Sequence, residues 1–397
     1  MKKKIYFMGN FFDYGGYSCM NRGYVHGLTD RGYEVKTLII PSRVDIPISE
    51  IDFFSSLSCP KSEISLPVWH EDYVRIIGHL PMCHIPQDMH NVICTMVESR
   101  NIPSGFLHSC NQHYEFCMTP SEYYKNQLIA DGFSKQAVSV PIGINDSFIN
   151  QKTLNVFKPS FCVFSKKPAP VQPEGFKFLS LFKWNFRKGP DVLIKSFLKD
   201  FSVKDNVSLL IFSRELEQQA NQGSFGYIYG EIEKLYQENA NEDSPPIYFC
   251  DNLIPKEYMT DVYSMGDCFV LPSRGEGLCL PALEASAMGL PIGVTNITAF
   301  KDYCTPENSY SIEPDEYVLY ENAHQFRQDG IFIEAYVGGE FPVLGDKAVA
   351  DFSEMMREMY ENFDEAKKKN ALLQKTIKEK YTWEKSIDIL DNFLSEI

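Results

Sequence analysis

The order of strands and helices in the first forty residues constrains the fold of this chain more than any other feature. A short apolar run at residues 5–8 precedes a loop with two adjacent glycines, a helical stretch over residues 18–31 and a second apolar run at residues 35–40. A strand, a loop, a helix and a strand in this order form a βαβ unit, in which the two strands lie parallel. The sequence therefore predicts an α/β fold built on a parallel sheet.

The second half of the chain repeats this alternation. Strands are expected from the apolar runs at residues 178–182, 207–212, 247–249, 268–271 and 291–294, with helices over residues 191–197 and 281–288. A chain of 397 residues is longer than one hydrophobic core usually serves. Two α/β domains are therefore expected.

A proline-rich stretch over residues 150–174 lies between the two halves. Its prolines, which favour an extended linker over a helix, are Pro159, Pro168, Pro170 and Pro173. We therefore predict an N-terminal domain over residues 1–160 and a C-terminal domain over residues 161–380. A final apolar helix is expected over residues 381–397.

Composition excludes several classes of partner and location. The chain has 38 Lys and Arg against 53 Asp and Glu, a net charge of -15, which argues against nucleic acid or an anionic membrane as a partner. Its 11 cysteines include no Cys-x-x-Cys pair, so neither a disulfide framework nor a zinc site is expected, and a reducing cytoplasm is the simplest location. No run approaches the roughly 20 apolar residues of a membrane span. We therefore expect a soluble protein that is at most peripheral to a membrane.

The most informative segment runs from residue 271 to residue 294. A buried strand leads into a loop with Gly275 and Gly277, and then into a helix with Pro281 in its first turn. Glycines let the backbone approach a ligand, and the helix dipole favours an anion at this end. The backbone amides expected to bind that anion are those of Gly277, Leu278 and Cys279.

Two glutamates lie on either side of this predicted anion site. Glu276 is in the loop, and Glu284 is about one turn into the helix. Ionised carboxylates accept hydrogen bonds only, which suits the vicinal hydroxyls of sugars. The alternative is an ordinary turn with two glutamates that face solvent.

This segment resembles the Glu-x7-Glu motif of the GT-B glycosyltransferases, in particular glycosyltransferase family 4. The resemblance rests on the Pro-Ser-x-x-Glu-Gly and Glu-Ala-x-Ala-x-Gly-x-Pro pattern around Glu276 and Glu284. It implies that Glu276 contacts the donor sugar and that Glu284 binds the ribose of the nucleotide. It also implies a GT-B fold, with two Rossmann-like domains facing an interdomain cleft and a C-terminal helix that crosses back to the N-terminal domain.

A cationic loop follows the first strand of the second half. Lys183, Arg187 and Lys188 lie at the carboxyl end of that strand, where doubly wound sheets bind their ligands. The loop resembles the family's phosphate clamp, an Arg and a Lys five residues apart before a glycine. Lys188 matches the Lys, but Lys183 stands at the Arg position and lacks the bidentate guanidinium. The sequence therefore leaves open how much Lys183 and Arg187 each contribute to binding of the diphosphate. The alternative is a solvated basic loop.

The first loop of the N-terminal half supplies weaker candidates. Gly15 and Gly16 resemble the family's glycine pair near the donor diphosphate, without the Gly-x-Gly-x-x-Gly spacing of dinucleotide enzymes. His79 follows a predicted strand and is the candidate for a histidine that touches the donor sugar, with His84 as a competitor. Either histidine could instead be paired within the core.

The resemblance implies a retaining hexosyltransferase of class EC 2.4, acting in the biosynthesis of a polysaccharide or other glycan. The donor is expected to be a UDP- or GDP-sugar, and the acceptor a glycan, a lipid-linked sugar or a small molecule. The sequence has no Asp-x-Asp motif to hold a metal, so we expect no metal and no other cofactor. The expected catalytic residues are Glu276, Lys188 and His79.

Three alternatives stay open from the sequence. A GT-B epimerase of sugar nucleotides has the same fold, and a non-catalytic protein could bind the same nucleotide. A glycoside hydrolase could use Glu276 and Glu284 as its carboxylate pair, although a cationic clamp has no purpose there. The base, the sugar and the acceptor are not determined.

Overall fold

The chain divides into two compact units. The computed structural model describes residues 2–40, 46–60, 68–79, 85–214, 224–321 and 337–397. The first unit extends to Asn145 and also includes residues 337–339 and the chain from Glu379 onward. The second unit begins at Asp146 and ends at Lys378. The division precedes the proline-rich stretch, and the domain boundary at residue 160 stays a prediction.

The first unit contains a parallel sheet of six strands in the order β2-β1-β3-β4-β5-β6. The strands are β1 (Lys4–Gly9), β2 (Glu34–Ile39), β3 (His70–Gly78), β4 (Met89–Cys94), β5 (Phe116–Thr119) and β6 (Gln136–Ser139). Its helices before residue 146 are α1 (Gly16–Asp30), α2 (Ile48–Ser56), α3 (Ser104–His113) and α4 (Glu122–Ala130). The central strands are apolar because helices cover both faces of such a sheet.

The second unit contains a sheet of seven strands in the order β13-β12-β11-β8-β9-β10-β7. The strands are β7 (Cys162–Phe164), β8 (Phe176–Lys183), β9 (Val207–Arg214), β10 (Ile247–Cys250), β11 (Cys268–Leu271), β12 (Ile292–Thr295) and β13 (Tyr310–Ile312). The edge strand β7 runs antiparallel to β10, and the other pairings are parallel. A separate antiparallel pair consists of β14 (Glu316–Leu319) and β15 (Glu340–Val343).

The helices of the second unit lie before, between and after its strands. They are α5 (Asp146–Ile149), α6 (Pro190–Asp200), α7 (Ser224–Asn239), α8 (Met259–Tyr263), α9 (Leu280–Ala287), α10 (Asp346–Glu361) and α11 (Phe363–Lys380). Two Rossmann-like sheets, whose strands are parallel except for the edge strand β7, have intervening helices and confirm the predicted α/β class.

Each sheet has one switch point, where the chain changes the direction in which it adds strands. In the first unit the switch lies between β1 and β3, and in the second it lies between β8 and β11. Ligands of open α/β sheets bind at the carboxyl ends of the strands beside such a point. A ligand-binding site is therefore expected at the loops that follow these four strands.

The last helix, α12 (Trp383–Glu396), packs on α1 within the first unit. Gly23 and Gly27 of α1 leave room for it, because a Cβ at Gly23 would lie 1.9 Å from the Trp383 ring and one at Gly27 would lie 2.2 Å from Ile387. The predicted terminal helix that crosses back to the N-terminal domain is therefore present.

Two regions differ from the sequence expectation. The stretch expected to be a linker contains the strand β7, which is only three residues long and lies among prolines, so it carries little periodicity. The stretch at residues 305–346, which is not among the strands expected from the apolar runs, contains β13, β14 and β15. The cysteines that the structure describes are free thiols. Among the described residues, no helix has the length and apolar character needed to cross a membrane.

Candidate nucleotide-sugar site

Two loops meet at the switch point of the second sheet. β8 and β11 pair directly, so the loops that follow them leave the same edge of the sheet. Gly189, with φ of 70°, ends the first loop, and a Cβ there would lie 1.9 Å from the Pro272 carbonyl oxygen of the second loop. The backbone N–H of Arg274 donates to Arg187 O at 2.6 Å. The structure therefore brings together the two segments that the sequence singled out in this half.

The Arg274 side chain holds the first loop in place. Its guanidinium donates to both carboxylate oxygens of Asp191, at 2.9 and 2.8 Å, and to Phe186 O at 2.8 Å. It also stacks on the Phe186 ring, 3.8 Å from the centroid. This buried contact was not predicted, because the sequence does not show that residues 186–191 and Arg274 are neighbours.

Glu276 is buried against two cations. Lys188 Nζ donates to Glu276 Oε1 at 2.5 Å, and Arg187 Nη1 lies 3.7 Å from Glu276 Oε2. Burial would raise the pKa of Glu276, but the charges of Lys188 and Arg187 outweigh it, and the pKa lies below its ordinary value. Glu276 is therefore ionised at neutral pH and accepts hydrogen bonds only.

The backbone after Glu276 offers three amides. The N–H groups of Gly277, Leu278 and Cys279 have no hydrogen-bond acceptor among the described residues. Cys279 has φ of 65°, a left-handed conformation that non-glycine residues rarely adopt, and it directly precedes α9. The loop is held by Tyr303, whose hydroxyl donates to Leu278 O at 2.8 Å. Three unpaired amides at the start of a helix form an anion-binding geometry.

The Glu276 amide is not part of this group. It donates to Thr298 Oγ1 at 3.1 Å, and Thr298 itself has φ of 41°. Thr298 lies in the loop that follows β12, and its contact holds the backbone of Glu276 in place. No local sequence pattern indicates that Thr298 has this role, because it lies 22 residues further along the chain.

Glu284 is in a different environment from Glu276. Its side chain is partly exposed on α9, and Tyr263 Oη donates to its Oε2 at 2.7 Å. Burial raises the pKa of Glu284 to about 7, although the Tyr263 hydrogen bond and the charge of Lys256 act in the opposite direction. The two glutamates of the motif therefore differ in protonation near neutral pH.

Replacement of Glu284 with glutamine is expected to change the pH dependence of stability. The pKa is raised in the folded state, so stability from this group is present at low pH and is lost as the pH rises through about 7. Glu284→Gln should therefore stabilise the protein at pH 8 by on the order of 1–2 kcal/mol, and much less at pH 5. Urea unfolding at both pH values checks this, with the exposed Glu354→Gln as a control. An equal effect of Glu284→Gln at the two pH values would contradict it.

Lys183 lies apart from the other two cations. It is the exposed last residue of β8, opposite Arg214 in the register, and it forms no ion pair within the described residues. Arg187 instead contacts the second loop, where it donates to Gly275 O and approaches Glu276. The predicted role of Lys183 in donor binding stays a prediction.

The candidates of the first unit lie together at the switch point of their own sheet. Gly16 begins α1, directly after the β1 loop, and the Gly15 N–H donates to Asp13 Oδ1 at 2.6 Å. His79 follows β3, and its ring lies 5.8 Å from that of Tyr17. The competing histidine, His84, lies outside the described residues. The structure therefore brings Gly15, Gly16 and His79 to one edge of one sheet.

Part of the chain is similar to a known protein family. Residues 176–326 match the family model described as Glycosyl transferases group 1. The match covers less than half of the chain and includes both loops of the candidate site. It supports transfer of a sugar as the class of reaction. No curated protein matches this chain.

Solved structures resemble the whole chain. A glycosyltransferase from Rickettsia africae has 13% identity and a TM-score of 0.64, with coverage of 100% of this chain and 98% of that one. Anabaena HepE, solved with UDP and glucose, has 12% identity, a TM-score of 0.63 and full coverage of both chains. Sucrose-phosphate synthase from Thermosynechococcus elongatus has 14% identity, a TM-score of 0.64 and coverage of 100% and 99%. At such identities the likeness shows the fold, and it confirms the predicted GT-B class.

Proposed function

We propose that this protein is a retaining hexosyltransferase of class EC 2.4. It moves a sugar from a UDP- or GDP-sugar to an acceptor hydroxyl without a metal ion. The observation that carries the proposal is the Lys188–Glu276 pair at a sheet switch point, beside three amides that have no acceptor among the described residues. The match of residues 176–326 to a glycosyltransferase family supports the same reaction.

The diphosphate of the donor is assigned to the cationic part of the site. Lys188 supplies a compact positive charge, and Arg187 supplies a second one next to it. The amides of residues 277–279 add donors that need no reorganisation when charge develops on the leaving group. We assign the role that the sequence left open between Lys183 and Arg187 to Arg187. It contacts the second loop, whereas Lys183 forms no such contact within the described part of the chain.

The two glutamates are assigned to the two rings of the donor. Glu276 stays ionised beside the cations, so it is suited to accept hydrogen bonds from hydroxyls of the transferred sugar. Glu284, one turn into α9, is assigned to the ribose of the nucleotide. In the first unit, the predicted roles of Gly15, Gly16 and His79 in donor binding belong to the same proposal.

The reaction then proceeds by attack on the face from which the leaving group departs. The bond from the anomeric carbon to the diphosphate oxygen breaks as the acceptor oxygen forms its bond to the same carbon. The acceptor proton passes to an oxygen of the departing diphosphate. Lys188 and the amides stabilise the charge on that diphosphate, which is electrostatic catalysis of the leaving group. The configuration at the anomeric carbon is retained.

One observation favours a glycoside hydrolase as the second candidate. The pKa of Glu276 lies below its ordinary value and that of Glu284 is raised to about 7, and hydrolases use carboxyl pairs that differ in this way. A hydrolase has no use for two cations and three amides around an anion, so transfer from a nucleotide sugar accounts for more of the site. Release of free sugar from a glycoside without any nucleotide would favour the hydrolase.

A panel of ligands tests the proposal. The diphosphates of uridine, guanosine, adenosine and thymidine, and their sugars, are added in the presence of EDTA while the melting temperature is followed. A ligand that binds the folded state raises this temperature. We expect the uridine or guanosine compounds to do so, and the matching sugar nucleotide to react with an acceptor in EDTA. Failure of every compound to bind would contradict the proposal, and conversion of the sugar nucleotide without acceptor would indicate an epimerase. Binding without any turnover would indicate a non-catalytic protein.

A further inference from the structure

A tyrosine on the short helix α8 meets one oxygen of Glu284. Tyr263 is fully buried, and its hydroxyl donates to Glu284 Oε2 at 2.7 Å. The ring packs edge-on against Phe148, with 5.8 Å between centroids. Glu284 Oε1 has no hydrogen-bond donor within the described part of the chain. One oxygen of the carboxylate is therefore fixed, and the other is available to a ligand.

The position of α8 is itself fixed by a second contact. Asp261, two residues before Tyr263, accepts four backbone hydrogen bonds. Its Oδ1 accepts from Leu154 and Asn155 at 2.7 and 2.9 Å, and its Oδ2 accepts from Val156 and Phe157 at 3.0 and 3.1 Å. Charged acceptors make the stronger hydrogen bonds of proteins. The helix that presents the Tyr263 hydroxyl is thus anchored on the side of Asp261.

Among the described residues, few charged or titratable groups surround Glu284. Tyr263 faces it from α8, and Lys256 acts on it through its charge from the 3-10 turn before α8. Cys279, at the start of the helix that carries Glu284, interacts with Tyr263. Of these groups, only Tyr263 forms a hydrogen bond with the Glu284 carboxylate. It is therefore the group that sets the direction of Oε1.

We propose that Tyr263 is a positioning residue that directs Glu284 Oε1 at a ribose hydroxyl of the nucleoside diphosphate, and so selects ribonucleotides over 2′-deoxyribonucleotides. The inference rests on the proposed function, because it assumes that a nucleotide binds at this site. A fixed carboxylate loses a hydrogen bond when the 2′-hydroxyl is absent, and the acceptor is then left unpaired. A mobile carboxylate can turn away from the ribose, and it discriminates less between the ribonucleotide and the deoxyribonucleotide.

The hydrogen bond from Tyr263 also favours the ionised form of Glu284. Burial raises the pKa of this carboxyl to about 7, and loss of the tyrosine hydroxyl removes one of the two groups that lower it. The ionised carboxylate is the better acceptor for a ligand hydroxyl. Binding of the ribonucleotide should therefore weaken as the pH falls through about 7. In Tyr263→Phe, this weakening should begin at a higher pH.

Calorimetric titration of the full chain with UDP and 2′-deoxy-UDP, and with GDP and 2′-deoxy-GDP, tests this over pH 6–9. We expect Tyr263→Phe to weaken binding of the ribonucleotide by about five- to tenfold, to reduce its preference over the deoxy compound, and to shift the pH midpoint upward. Glu284→Gln should show no pH midpoint in this range. Tyr360→Phe is the matched control, because the Tyr360 hydroxyl donates to Asp205 O at 2.7 Å, before the amino end of β9. It should behave as the wild type.

Two results would overturn the inference. If wild type binds a ribonucleotide and Tyr263→Phe keeps both its preference and its pH midpoint, Tyr263 does not position Glu284, and the proposed function stands. If wild type binds none of the four nucleotides, the inference and the proposed function both fail. If the first of these results comes with a lower melting temperature of Tyr263→Phe, the role of Tyr263 is purely structural.

Discussion

Replacement of Glu276 with alanine is expected to lower turnover by about a thousandfold or more while nucleoside diphosphate still binds. Glu276 is 3% exposed and neutralises part of the charge of Lys188 and Arg187. Its removal takes away an acceptor for hydroxyls of the transferred sugar and leaves both cations available to the diphosphate. Affinity for the diphosphate should therefore be equal or higher. Turnover by product analysis and binding by calorimetry measure the two effects separately.

The conservative variant Glu276→Gln sharpens this test. Glutamine keeps the size of the side chain but loses the charge and one acceptor oxygen, so we expect a smaller loss of turnover than in alanine. Glu354→Ala, which removes an exposed glutamate from α10, should leave turnover unchanged. Turnover of Glu276→Ala equal to that of wild type would remove Glu276 from the active site. Loss of diphosphate binding in the same variant would show that Glu276 has a structural role instead.

Lys188→Ala is expected to weaken both binding and turnover. The Lys188 ammonium is half of the closest ion pair at the site, at 2.5 Å from Glu276, and its removal leaves this buried carboxylate with Arg187 alone of the two cations. A charged partner of this kind contributes about 2–4 kcal/mol to a transition state, so kcat/KM should fall by roughly a hundredfold or more. The affinity for the diphosphate should fall by about tenfold.

Three further lysine and arginine variants distinguish an effect at the site from an effect of the net charge of the protein. Lys199→Ala removes the same charge from an exposed position of α6 and should have no effect. Arg187→Ala should weaken diphosphate binding more than Lys183→Ala does, because Arg187, unlike Lys183, contacts the second loop within the described residues. Equal losses in Lys188→Ala and Lys199→Ala would show that the effect comes from net charge and not from the site.

Most of the sheet strands could be predicted because central parallel strands are buried on both faces. The strand β11 was predicted with the bounds Cys268–Leu271 that the structure gives, since it is fully apolar and ends at a proline. The short strand β5 (Phe116–Thr119) was missed, because four residues with a cysteine and a threonine do not stand out from a loop. The edge strand β7 was missed for the same reason, since its three residues lie between prolines.

The candidate site was predictable where its residues are close in sequence. Glu276, Glu284 and the amides between them belong to one strand-loop-helix segment, so their spacing could be interpreted from the sequence. Arg274 was inside that segment, but its partner Asp191 lies 83 residues earlier. Tyr263 precedes Glu284 by 21 residues and is on another helix. Contacts of this kind depend on which strands are neighbours in the sheet, which one sequence does not state.

The ion pair between Lys188 and Glu276 could not be predicted from the sequence either. Each residue was predicted to bind the donor, but they are 88 residues apart in the sequence, which gave no indication that they form an ion pair. The pair explains how a buried glutamate stays ionised at the site that we propose for the diphosphate. It also implies that a bound diphosphate competes with Glu276 for the same two cations.

A crystal structure with bound UDP or GDP tests the central claim most directly. We expect the diphosphate within about 3 Å of Lys188 Nζ and of the amides of Gly277, Leu278 and Cys279. Glu284 should then contact the ribose. A diphosphate bound away from Lys188 and these amides, with the Lys188–Glu276 pair unchanged, would contradict the proposed site.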